Sequence, residues 1–109
     1  MIAGCSLAGG SGLNDVVIRA LGPSLVPFGV NNALPDPVLA LYDSNANVIT
    51  ADDNWKDSQQ RAIANTGLQP PNDLDAAISV TLAAGNYTAV VTGKDGSTGV
   101  ALVEVYAKR

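Results

Sequence analysis

Apolar and polar residues alternate along most of this chain with a period of two. From Ala76 to Gly93 it reads AAISVTLAAGNYTAVVTG, with Ile78, Val80 and Leu82 on one face and Ser79 and Thr81 on the other. That period marks an extended segment with one buried face, so two strands are expected around AAGN. DVVIRAL (15–21) is an apolar run broken by GPS, and PVLALYD (37–43) meets the turn-rich SNAN before VIT (48–50) resumes. Two such runs around a turn cluster predict a hairpin. In TGVALVEVYA (98–107), Val100, Leu102, Glu104 and Tyr106 share one side and Ala101, Val103 and Val105 the other. A strand apolar on nearly both faces is expected at the centre of a sheet.

The helical period surfaces once, in DSQQRAIANTG (57–67). Asp57 is placed to cap a helix, Gln60 follows at capping-box spacing, and Gly67 would end it after about two turns. One short helix near 57–66 among six to eight short strands predicts an all-β fold, an antiparallel β-sandwich of jelly-roll-like or Ig-like type. At 109 residues the chain fits a single domain, 1–109, able to bury roughly two-thirds of its unfolded surface.

Composition narrows function mainly by exclusion. The net charge is −4 with only six basic residues, which leaves no cationic stripe for phosphates and argues against nucleic acid. No apolar run approaches the roughly eighteen residues of a membrane span, and no charged n-region with an h-region opens the chain, so no signal peptide is read in it. The single cysteine, Cys5, cannot form an internal disulfide. Without a histidine, a Ser-His-Asp or Cys-His arrangement cannot be assembled. No two of the ten acidic residues are singled out by spacing as a glycosidase pair. The expectation is a protein that is not an enzyme.

The densest polar chemistry lies in YDSNANVITADDNW (42–55). Asp43, Asn45 and Asn47 start with EF-hand spacing, but Val48 stands where the loop needs Gly and Asn54 where it needs Glu, so that motif fails. Two readings stay open. In one, Asp43, Asn45, Asp52 and Asp53 approach at a sheet end and offer hard oxygen ligands to calcium. In the other, DSNAN is a tight turn whose side chains bond their own backbone, and no cofactor is bound. Trp55, the only tryptophan, either stacks on a sugar ring with Tyr42 and Asn54 beside it or packs over one end of the core. Arg19 and Glu104 interrupt apolar strands and are candidates for an ion pair between them. The glycine-rich AGGSG (8–12) lacks the Lys-Ser/Thr and helix of a phosphate loop and is read as a turn. IAGC (2–5) lacks the apolar segment that lipidation needs and is read as strand.

DPVLALYDSNANVITADDNW followed by DAAISVTLAAGNYTAVVTGKDGSTGVALVEVY, with VVIRALGPSL upstream, resembles a β-sandwich domain of large secreted and surface proteins of bacteria. LALYDSNANVI and LAAGNYTAVV are more distantly similar to the bacterial pre-peptidase C-terminal (PPC) domain. The resemblance implies a DAA…YTA.V.G hairpin, an extracellular or cell-surface location and a non-catalytic accessory role. Two departures stand out: the family has further strand-forming sequence ahead of IAGCSLAGG, and a large apolar residue where Cys5 stands. The first implies a missing N-terminal strand and an open sheet edge that a protein partner or a second copy would cover. Two functions are therefore carried forward: an accessory or interaction module that self-associates, and a carbohydrate-binding module, assisted by calcium, that holds a polysaccharide.

Overall fold

A computed structural model describes residues 2–7 and 13–108, with 2–7 and 108 described by backbone alone. Its strands are β1 (Ile2–Leu7), β2 (Leu13–Leu21), β3 (Pro37–Tyr42), β4 (Val48–Asp52), β5 (Ala76–Ala83), β6 (Gly85–Gly93) and β7 (Leu102–Lys108), with helix α1 (Gln60–Asn65) between β4 and β5. They form two sheets, ordered β1-β6-β3-β4 and β5-β2-β7, and every strand pair is antiparallel. The all-β sandwich expected from the alternation is the fold.

Only β3 and β4 form the expected hairpin, with Tyr42 opposite Val48 and Leu39 opposite Asp52. AAGN joins strands of different sheets, because β5 pairs with β2 while β6 pairs with β1 and β3. The period of two is right for both strands, yet it says nothing about which neighbour each will find. A sandwich whose chain crosses at Ala84 buries Ile78 and Leu82 of β5 against Ala89 and Val91 of β6, across the core.

The core lies between the sheets. Val16, Ile18 and Ala20 of β2, Leu39 and Leu41 of β3, and Ile78 of β5 are almost fully buried there. β3 faces β2 and β5, and β4 faces β5. Given the strand orders, β7 and β1 lie on the opposite side of the sandwich. On the outer face of the three-stranded sheet the 54–75 segment adds a third layer, with Trp55 and Ile63 packed on Ala77. The helix is shorter than expected: Gln59, not Asp57, is its N-cap, and Gly67, at φ 75°, closes its end. Asp57 instead donates its N–H to the Asn54 carbonyl in a preceding turn.

A fully buried carboxylate ties these layers together. Asp75 Oδ1 accepts the Gly22 N–H (2.9 Å), Oδ2 accepts the Asn72 N–H (3.2 Å), and its carbonyl accepts the Trp55 N–H (3.0 Å). Gly22 leaves β2 so close to Leu34 that a Cβ there would stand 2.2 Å from the Leu34 carbonyl oxygen, so only glycine fits. Asp75→Ala strips both N–H groups of their acceptor, at roughly 1–3 kcal/mol each. Urea unfolding is expected to show a loss of about 2–5 kcal/mol, with Asp75→Asn intermediate because it keeps one acceptor. A loss below about 1 kcal/mol for the alanine variant would show that the segments are held by packing alone.

Candidate functional site

The turn after β3 is built by one carboxylate. Asp43 Oδ1 accepts the N–H groups of Asn45 and Asn47, both at 2.9 Å, while the Asp43 N–H donates to the Asn47 carbonyl and Ala46 turns back at φ 64°. These bonds, first that from the Asn47 N–H, hold the Asp43 carboxyl below its ordinary value. DSNAN is therefore a turn whose side chain bonds its own backbone.

Asp52 and Asp53 lie at the other end of β4, roughly 15 Å of strand away. The register that puts Val48 next to the turn puts Asp52 opposite Leu39, so the calcium set of Asp43, Asn45, Asp52 and Asp53 is not brought together. Among the described residues no three acidic or cysteine side chains converge. Asp53 pairs instead with Lys94 (Nζ–Oδ2 2.6 Å), and its proximity, after burial, raises the Asp36 carboxyl. Asn54 and Asp53 each keep a buried side-chain oxygen without a donor among the described residues.

Trp55 is 5% exposed, held under α1 against Ile63 and Ala77. A ring in that position cannot stack on a sugar. Of the three residues expected to hold a saccharide, Tyr42 lines a groove on the surface and Trp55 and Asn54 do not line it. Tyr42 stands half-buried on the outer face of the four-stranded sheet, paired with Thr88 and Val48. There a groove of about 510 Å³ runs between Tyr42, the Asp43–Ala46 turn and the outer face of β6 at Asn86, Thr88 and Val90. The β6 positions carried no signal of their own, since only the pairing with β3 places them beside Tyr42.

The two edges of the three-stranded sheet are treated differently. On β5, Ala77 donates its N–H to Asp52 Oδ2 (3.0 Å), Ser79 exchanges both backbone groups with the Gln59 amide (3.0 and 2.8 Å), and the Ala83 carbonyl accepts the Tyr87 hydroxyl (2.6 Å). These bonds fix the parity of the sheet: odd residues of β5 face away from β2, so even residues of β2 bond β5 and its odd residues bond β7. In the β2–β7 register, Asp15, Val17, Arg19 and Leu21 face Lys108, Tyr106, Glu104 and Leu102. The N–H and C=O groups of Val103, Val105 and Ala107 therefore point outward from β7, and no described residue bonds them. β7, expected at the centre of a sheet, is at its edge. Its outer face carries the expected ion pair: Arg19 Nε donates to Glu104 Oε1 at 3.0 Å, and the Tyr106 hydroxyl donates to Glu104 Oε2 at 3.1 Å.

Asp52 has no cation among the described residues, and its pKa is raised from 3.8 to about 6, chiefly by burial, against the opposing bond from the Ala77 N–H. At pH below 3.8 the folded and unfolded chains both hold this proton. As pH rises from about 4 to 6 the unfolded chain releases it first, so stability falls over that window by up to about 3 kcal/mol and is level above it. Asp52→Asn removes the ionisation and keeps an acceptor for Ala77. The variant is expected to lose this part of the pH dependence and to gain on the order of 1–3 kcal/mol over the parent at pH 7 in urea unfolding. Parallel pH profiles for the two proteins would show that Asp52 does not titrate in this range.

No protein-family model matches this chain, and no curated protein or solved structure is significantly similar to it.

Proposed function

We propose that this domain is a non-catalytic interaction module that associates with a second copy of itself along β7, as an accessory part of a secreted or surface protein. The observation that carries the reading is the contrast between a shielded β5 edge and a bare β7 edge. An unpaired strand offers a row of N–H and C=O groups to any chain that can align with it, and soluble proteins usually block such rows. Here three side chains block one edge and the other is left with an apolar strand of central type. Val105, on the inner face beside Ile18, is still 39% exposed.

A second copy fits this edge by symmetry. Antiparallel pairing about a two-fold axis through Val105 sets Val105 opposite Val105 of the other copy and Val103 opposite its Ala107, the three positions whose backbone groups are open. On the outer face it sets Glu104 opposite Tyr106, so no like charges meet. The inner faces of the two sheets then continue into each other, and the exposed valine is covered.

Sedimentation velocity from about 1 µM to 1 mM is expected to show a concentration-dependent dimer. Val105→Lys points a charge inward from the edge and should leave a folded monomer, with Thr81→Lys on the shielded edge dimerising like the parent. A parent that stays monomeric throughout, or a Val105→Lys variant that dimerises normally, would overturn the reading.

A further inference from the structure

We propose that the Tyr42 groove is a binding site for a neutral oligosaccharide, a property that goes beyond self-association and does not depend on it. The groove lies on the four-stranded sheet, whereas the β7 edge belongs to the other. Its composition selects the ligand. Tyr42 supplies an aromatic face and Val90 an apolar floor, while Ser44, Asn86 and Thr88 bring two hydroxyls and an amide to the rim. Each of these polar groups both donates and accepts, as each hydroxyl of a sugar does.

Asp43 adds one strong acceptor of fixed position, because two backbone N–H groups hold its carboxylate in the turn. Among the described residues no lysine or arginine lines the groove, which disfavours a phosphate, sulfate or carboxylate ligand. The match is a pyranose ring, which has an apolar C–H face for the tyrosine and a hydroxyl edge for the carboxylate, amide and hydroxyls. A volume of about 510 Å³ lies within the usual range of small-molecule sites, and the carrying side chains stand on paired strands and a bonded turn rather than on a loose loop.

The test is a titration of ¹⁵N-labelled protein with cellohexaose, xylohexaose, laminarihexaose and chitohexaose, followed by amide shifts. Saturable shifts are expected for at least one of them, centred on residues 42–46 and 86–90. Tyr42→Ala should weaken binding at least tenfold, Tyr42→Phe should retain most of it, and Thr88→Val should weaken it several-fold, the spectra themselves reporting whether each variant is folded. Val105→Lys should bind as the parent does, which separates this site from the dimer edge. The proposal is overturned if none of the four sugars shifts these amides, if the shifts centre elsewhere, or if folded Tyr42→Ala and Thr88→Val both bind like the parent.

Discussion

Two buried carboxylates that accept backbone N–H groups tie the loops and sheets of this fold to one another. Asp75 is the clearest case, fully buried and bonded to Gly22 at the exit of β2 and to Asn72 in its own loop, while its carbonyl takes the Trp55 N–H. A carboxylate that accepts two backbone N–H groups finds there a partial substitute for water, so its burial does not demand a cation. The same device at Asp52 joins β4 of one sheet to β5 of the other. With few large side chains in the core, directed bonds of this kind set where the sheets meet.

That arrangement makes the two sides of the sandwich unequal. On the β4–β5 side, Asp52 bridges the two sheets through the Ala77 N–H, and Gln59 of the third layer bonds the β5 edge at Ser79. On the β7 side, Val105 is part-exposed and no described residue bonds the outward groups of the strand edge. The contrast is between one edge bonded by side chains at Ala77, Ser79 and Ala83 and another that no described residue bonds at Val103, Val105 and Ala107.

Much of the architecture was legible in the sequence, and the reasons for the failures are physical. The periods of β2, β3, β5 and β7 and the β3–β4 hairpin depend on residues close in sequence, as does the turn that Asp43 makes with Asn45 and Asn47. The Arg19–Glu104 pair was legible because a charge in an apolar strand needs a partner. The crossing at Ala84 was not, because alternation fixes a strand's faces but not its neighbour. Asp75 gave no signal at all, since its partner Gly22 is 53 residues away. Trp55 and Tyr42 exchange the roles that residue type alone suggests: the larger ring closes the third layer, and the smaller one reaches the surface.

The strand order also has a temporal side. β2 is the middle strand of its sheet, yet neither neighbour is local: Ile18 pairs with Ile78 and with Val105, and on the other sheet Ile2 pairs with Val90. Both sheets wait for the last third of the chain, so a nascent polypeptide that has left the ribosome only through α1 holds one hairpin and little else. Folding must close long loops before it gains its main contacts, which places this domain among slow, non-local folders on the scale of milliseconds to seconds, and of the seven described strands β7 is synthesised after the others.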